Sequence, residues 1–183
     1  MTDQEIAACI WAEGFEPLPY KDSKGIWSCG IGYNLEAHGI PASWVKPILD
    51  GYEIIKSPGY KMLKMKPGIT KSQAVEELET WWHRAASTAL GPFFTVWGSF
   101  SDVQRFVVTD MVFNMGLGSV KPAKGFLSFS TSTIPAMRRG DWKTVIANLK
   151  KSKWAKDTGR RARRDIRMLE LGRWLSDEEL RTI

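Results

Sequence analysis

Cysteine and histidine are scarce in this chain. Cys9 and Cys29 are the two thiols among 183 residues, and there are two histidines. Neither cysteine stands at metal-ligand spacing or has a histidine close in sequence, so both read as reduced packing residues, with a disulfide or redox switch as the alternative. No stretch approaches the roughly 18 uninterrupted apolar residues expected of a membrane span. The opening MTDQEIAACIW lacks a basic segment followed by a long apolar run, so no secretory leader is expected and synthesis in the cytoplasm is. Internal repeats and low-complexity segments are also missing. What is present, 43% hydrophobic and 25% charged residues, suits an ordinary globular protein.

The charge is unevenly spread. The formal net charge is +6, yet residues 138–173 hold 13 Lys and Arg against Asp141, Asp157, Asp165 and Glu170, a net charge of +9. The rest of the chain is therefore net acidic. A run of this kind is either a solvated helical face or a surface for an anionic partner: nucleic acid, bacterial cell wall or an anionic membrane.

Local signals divide the chain. Thr2 with Glu5 forms a capping box and Gly14 follows the last periodic position, which predicts a helix over residues 3–13. Pro17 and Pro19 exclude its continuation. Asp22-Ser23-Lys24-Gly25 reads as a turn between an extended stretch at Tyr20-Lys21 and an alternating strand from Ile26 to Tyr33, hence a hairpin. Residues 34–69 are broken by Gly39, Pro41, Pro47, Gly51, Pro58, Gly59 and Pro67, so short irregular pieces are expected, with a helical turn or two at 43–49. Thr70 with Gln73 caps a long helix ending at Gly91-Pro92. Ser101 with Gln104 caps another through Met115, apolar almost all round and so central to a helical lobe. Three or four shorter helices are expected to follow, and Ser176 with Glu179 to cap a final turn. The expected fold class is α+β, predominantly helical, with two lobes: a small β-containing lobe (13–69), a connecting helix (70–91) and a helical lobe (1–12 and 92–175), then a tail (176–183).

Glu13 is the anomaly in this pattern. Ile6, Cys9, Ile10 and Glu13 stand at i, i+3, i+4 and i+7, so an acid ends an otherwise apolar stripe. Held against that stripe and the hairpin, its carboxyl would be desolvated and its pKa raised toward the range of a general acid. Alternatively it is a surface residue in a frayed turn, or the ion-pair partner of an arginine.

The run Glu13-Gly14, Tyr20-Lys21-Asp22 and Gly25-Ile26-Trp27-Ser28-Cys29-Gly30-Ile31-Gly32 resembles the catalytic segment of phage-type lysozymes, glycoside hydrolase family 24, typified by the lysozyme of the T-even bacteriophages. The spacing is Glu, eight residues, Asp, five residues, then a hydroxyl residue. The likeness continues through Gly68-Ile69-Thr70-Lys71, Asp110-Met111-Val112-Phe113-Asn114-Met115-Gly116, Asn148-Leu149 and Ser152-Lys153-Trp154, and ends near Arg160-Arg161-Ala162 and Gly172-Arg173-Trp174.

The resemblance implies a lysozyme-like fold and an endolysin that hydrolyses the β-1,4 bond between N-acetylmuramic acid and N-acetylglucosamine of peptidoglycan, for host cell lysis. It implies Glu13 as general acid and Asp22 and Ser28 as holders of the attacking water, Ser28 standing where relatives usually carry Thr. A turn-opening Asp22 with solvent access would stay ionised, giving the two unlike carboxyl environments that glycoside hydrolysis needs; it would also cap its turn. Asn34, Phe113 and Asn148 are carried over as sugar contacts, and Arg161 as the cation that pairs with the general acid. Phe113 also fits a core role and Asn148 a surface one. No cofactor and no metal are expected. The expected partner is bacterial peptidoglycan, with residues 138–173 touching the anionic envelope, nucleic acid not a main partner, and the protein a monomer. Release from the host cytoplasm to the wall would need a separate holin.

Overall fold

Thr2 and Glu5 close the first helix as their spacing predicts, side chain to backbone in both directions, and α1 runs over Asp3–Glu13. The computed structural model describes residues 1–57 and 67–183. Within these, two compact units are found, Met1–Thr80 and Trp81–Ile183, with α1 in the first. The architecture is predominantly helical with one small antiparallel sheet, the α+β class expected of a lysozyme-like chain.

In the first unit the sheet comprises β1 (Glu16–Lys21), β2 (Trp27–Gly30) and β3 (Tyr33–Asn34), in that order. Tyr20 faces Ser28 and Lys21 faces Trp27 across β1 and β2, while Ser28 faces Asn34 and Cys29 faces Tyr33 across β2 and β3. The single strand expected from Ile26 to Tyr33 is thus two strands. Gly30 and Gly32 both adopt φ +65, a region open to glycine, and they reverse the chain between them. Behind the sheet lies a core of Trp44, Ile48, Ile69 and Ala74, all buried. A methyl on Gly30 would come within 2.9 Å of the Trp44 ring and 3.3 Å of Ala74.

The segment after the sheet departs most from expectation. A short helix α2 (Leu35–His38) is followed by α3 (Ala42–Lys56), far longer than a turn or two and with Pro47 inside it. Proline lacks the N–H that would bond the carbonyl four residues back, at Ser43. Here that orphan carbonyl accepts instead from Gln73 Nε2 at 3.1 Å, so a side chain from a distant helix repairs the proline's defect. Gly51 allows α3 to pack closely, since a Cβ there would sit 2.8 Å from Leu18 and 3.1 Å from the Gly68 nitrogen. The breaks expected at Pro58 and Gly59 lie outside the described residues.

The helix α4 (Lys71–Leu90) opens on the expected Thr70 and Gln73 cap. In the second unit α5 (Asp102–Met115), with its Ser101 and Gln104 capping box, is the central element, eight of its residues being buried. Phe106 on α5 stacks with Trp82 at 5.2 Å and meets Trp174 edge-on at 4.8 Å, and Phe93 packs on Phe100 and Phe126. Four shorter helices follow, as expected, α6 (Thr133–Arg138), α7 (Trp142–Lys151), α8 (Lys153–Thr158) and α9 (Arg160–Leu171), and the expected Ser176 and Glu179 cap opens the final one, α10 (Asp177–Arg181). The chain divides between α7 and α8 at Ser152, which ends α7 and caps α8 by accepting from Ala155 N–H at 3.0 Å.

Both cysteines are buried and unbridged. Burial pushes the Cys29 thiol up to about 11, so it stays protonated at neutral pH and acts as a packing group.

Candidate active site

Four of the residues singled out in the sequence, Glu13, Asp22, Ser28 and Asn34, belong to the first unit. Glu13 is the last residue of α1, where Gly14 turns the chain with φ +77 and returns its N–H to the Ile10 carbonyl at 2.7 Å. Along its stripe Cys9 is wholly buried, whereas Ile6, Ile10 and Glu13 are half-buried. The Glu13 carboxyl lies against Gly32. A Cβ at Gly32 would stand 2.7 Å from Glu13 Oε2 and 2.9 Å from Cδ, closer than real atoms approach. Gly32 is therefore required twice, for its backbone angle and for the room it leaves the acid. The Gly30-Ile31-Gly32 triplet was visible in the sequence, but the seat it provides for Glu13 was not.

Asp22 opens the β1–β2 turn as expected. Its Oδ1 accepts from the backbone N–H of Lys24 at 2.8 Å and of Ile26 at 2.9 Å, and its own N–H donates to the Ile26 carbonyl at 3.0 Å. Both side-chain bonds use one oxygen, so the turn orients the carboxylate while Oδ2 stays outside the turn's hydrogen-bond pattern. Ser28 sits in the central strand, 5% exposed, with Tyr20 and Asn34 as its cross-strand neighbours. Paired residues share a face, so hydroxyl, phenol and amide form one row across the sheet. Asn34 is committed in part: its Oδ1 caps α2 by accepting from Ala37 N–H at 2.9 Å.

Tyr20 is a neighbour of these groups that the sequence reading did not single out. Burial raises the pKa of its phenol, and the negative charges of Glu13, then Glu16 and Asp22, raise it further. A helix end, a turn and a sheet thus bring Glu13 and Asp22 within electrostatic range of one phenol. Two carboxyl groups on unlike supports, one seated on a glycine and one held by backbone N–H groups, can divide proton donation from water activation.

Phe113, Asn148 and Arg161 lie in the second unit. Phe113 is half-buried in the last turn of α5, its ring 5.7 Å from that of Trp82 and 5.7 Å from the Arg161 guanidinium. Asn148 is half-buried on α7. Arg161 is itself buried. Its Nε and Nη2 donate to the two oxygens of Asp110, each at 2.7 Å. Arg164 Nη2 adds a bond to Asp110 Oδ2 at 2.9 Å, and its Nε donates to Asp165 Oδ1 at 2.8 Å.

All four side chains of this cluster are buried. Burial pushes the Asp110 carboxyl up, but the charges of Arg161 and Arg164 outweigh burial and hold it well below the usual carboxylate range. Asp165 goes the other way: burial raises it, Arg164 opposes, and the Asp110 charge raises it again, well above the ordinary value. Its Oδ2 finds no donor. A carboxylate facing such an atom would be costly, and a proton there removes the cost. The cluster thus holds two arginines, one aspartate whose charge they stabilise and one aspartate whose neutral form is favoured. Asp110 carried a signal in the sequence, an acid inside an otherwise apolar helix, and its partners were the arginines of the basic segment.

Among the described residues no three His, Cys, Asp or Glu side chains are grouped to hold a metal ion, and no helix is long and apolar enough to cross a membrane. No curated protein matches the chain. The family model for phage lysozyme matches residues 11–167, a span that contains Glu13, Asp22, Ser28, the buried arginine cluster and the helices around them. The chain therefore belongs to the phage lysozyme family, and it is a glycoside hydrolase, an endolysin of muramidase type acting on peptidoglycan.

Proposed function

We propose that this lysozyme cleaves the β-1,4 bond between N-acetylmuramic acid and N-acetylglucosamine, with Glu13 as general acid and a water held by Asp22 and Ser28. The observation that carries the reading is the seat of Glu13: a helix-end carboxyl packed on the bare Cα of Gly32, beside the strand row that holds Ser28. Glu13 protonates the leaving oxygen. Asp22, oriented through Oδ1 by its own turn, keeps Oδ2 for the water and accepts its proton, and the Ser28 hydroxyl fixes the water's position. Attack comes from the far face of the sugar and inverts the anomeric centre.

Sugar contacts are assigned to the Asn34 amide nitrogen, whose oxygen is taken by the α2 cap, to the exposed side of Phe113 and to Asn148. Arg161 is a cation whose position is fixed by its two bonds to Asp110. The domain is residues 1–175, with 176–183 as a tail. Host lysis after release through a holin lesion, and envelope contact through the exposed part of residues 138–173, complete the reading. Reducing-end analysis of fragments from purified peptidoglycan tests the bond assignment. New reducing ends on N-acetylmuramic acid are expected; ends on N-acetylglucosamine, or free amino groups, would overturn it.

A further inference from the structure

The basic segment has a concave part. A cleft of about 560 Å³ in the second unit is bounded by α7, α8, α9 and the last residues of the chain. That volume is within the range of small-ligand sites, about 300–1,000 Å³. Its floor is apolar: Ala162 and Ile166 are one turn apart on α9 and both buried. Lys150, Lys156, Arg163 and Arg167 line it as well.

Among the described residues two acidic side chains line it, Glu170 and Glu179. Glu179 is matched elsewhere, by a two-bond pair with Arg173 at 2.8 and 2.9 Å. Glu170 is shared between Lys150 at 2.6 Å and Arg167 at 3.4 Å. Arg163 is pinned by the Ile183 backbone oxygen, to which Nε and Nη2 donate at 3.2 and 2.9 Å. The cations at the rim thus exceed the acids available to them, and one of them is pre-positioned.

We propose that this cleft is an anion site for glycerol-phosphate groups, the phosphodiester chemistry common to anionic lipid headgroups and phosphate-bearing wall polymers. Cations at the rim bind the phosphate oxygens by charge-assisted hydrogen bonds, and the Ala162 and Ile166 floor takes the carbon backbone of the glycerol. A nucleic acid fits less well, because among the described residues no aromatic side chain lines the cleft on which a base could stack. The site shares no residue with Glu13, Asp22, Ser28 or the sugar contacts, so it stands whether or not those assignments hold.

The test uses the full chain and glycerophosphoglycerol as soluble probe, followed by amide and arginine Nε–H shifts in NMR titration at low salt. Saturable shifts are expected on α9 at residues 162–170. Lys156→Gln with Arg167→Gln, which leaves the Arg163 pin in place, should weaken binding about tenfold or more, since two charge-assisted contacts are lost. A charge-matched control, Lys121→Gln with Lys124→Gln, should not weaken it. Glu170→Gln should tighten it by releasing Lys150 and Arg167.

Equal weakening in both double variants, or no saturable shift in the unaltered protein, would overturn the proposal. So would binding of a single-stranded oligonucleotide through α9 with the glycerol diester silent. Co-sedimentation with phosphatidylglycerol vesicles, absent with phosphatidylcholine and competed by the diester, assigns the lipid as source. Diester binding without vesicle binding assigns the wall polymer.

Discussion

Two changes of the same kind in one buried cluster should differ greatly in cost. Asp110→Asn keeps the shape but removes the charge that faces Arg161 and Arg164, both of them buried. Breaking a buried pair from one side costs about 3–5 kcal/mol. At roughly 2–4 °C per kcal/mol for a domain of this size, the melting temperature should fall by about 6–20 °C. Asp165→Asn replaces a carboxyl whose neutral form burial and the Asp110 charge favour. An amide oxygen can still accept from Arg164 Nε, so the loss should stay below about 1.5 kcal/mol, the worth of an ordinary hydrogen bond.

The pH dependence separates the two aspartates further. Asp110 has a lowered folded pKa, so its contribution is present above the unfolded value near ~3.9 and is lost as pH falls below it. Asp165 has a raised one, so its contribution is present below that value and is lost as pH rises through the folded pKa. Asp165→Asn should therefore abolish a loss of stability on the alkaline side that the unaltered protein shows. Urea unfolding followed by far-UV circular dichroism, repeated from pH 2 to 9, measures both effects. If Asp165→Asn proves as damaging as Asp110→Asn at neutral pH, Asp165 is ionised and the description of the cluster is wrong.

Glu13→Gln should fold normally and lower the rate of wall clearing by roughly 10²-fold or more, the scale of general acid catalysis; clearing at an unaltered rate removes Glu13 from the mechanism. Asp22→Asn should cost far more activity than Ser28→Ala, and Ser28→Thr should be tolerated. The first sugar released, read by proton NMR before mutarotation, should be the α-anomer, and a β-anomer would give Asp22 a different role. Gly32→Ala should impair both stability and turnover, because the added methyl would meet Glu13 Oε2 at 2.7 Å on a backbone of positive φ; wild-type turnover would show that the seat of the acid does not matter. Replacing Lys150, Lys151 and Lys153 by Gln should weaken wall binding more at low salt than at high, as the Debye length shrinks from about 10 Å at 0.1 M to about 3 Å at 1 M. Lys151→Gln alone should account for most of that, since Lys150 is paired with Glu170 and Lys153 with Asp157.

What could be read from the sequence is what depends on neighbours within a few residues. The capping boxes at Thr2, Thr70, Ser101 and Ser176, the Asp22 turn and the apolar-all-round α5 are of this kind, because each bond or stripe closes inside one or two helical turns. Glu13 stood out for the same reason, as an acid on an apolar stripe. Tertiary structure decided the rest. Helix α3 continues past Pro47 because Gln73, from another helix, satisfies the Ser43 carbonyl, and no local rule contains that bond. The charge of residues 138–173 counted Arg161 and Arg164 with the others, yet packing against Asp110 and Asp165 withdrew them from the surface. Gly32 read as part of one strand until the fold turned the chain there and laid the Glu13 carboxyl upon it. A hydrogen bond or charge pair between distant positions forms only where the packed chain brings its partners together, and burial, which sets its strength, belongs to the folded molecule and not to the local sequence.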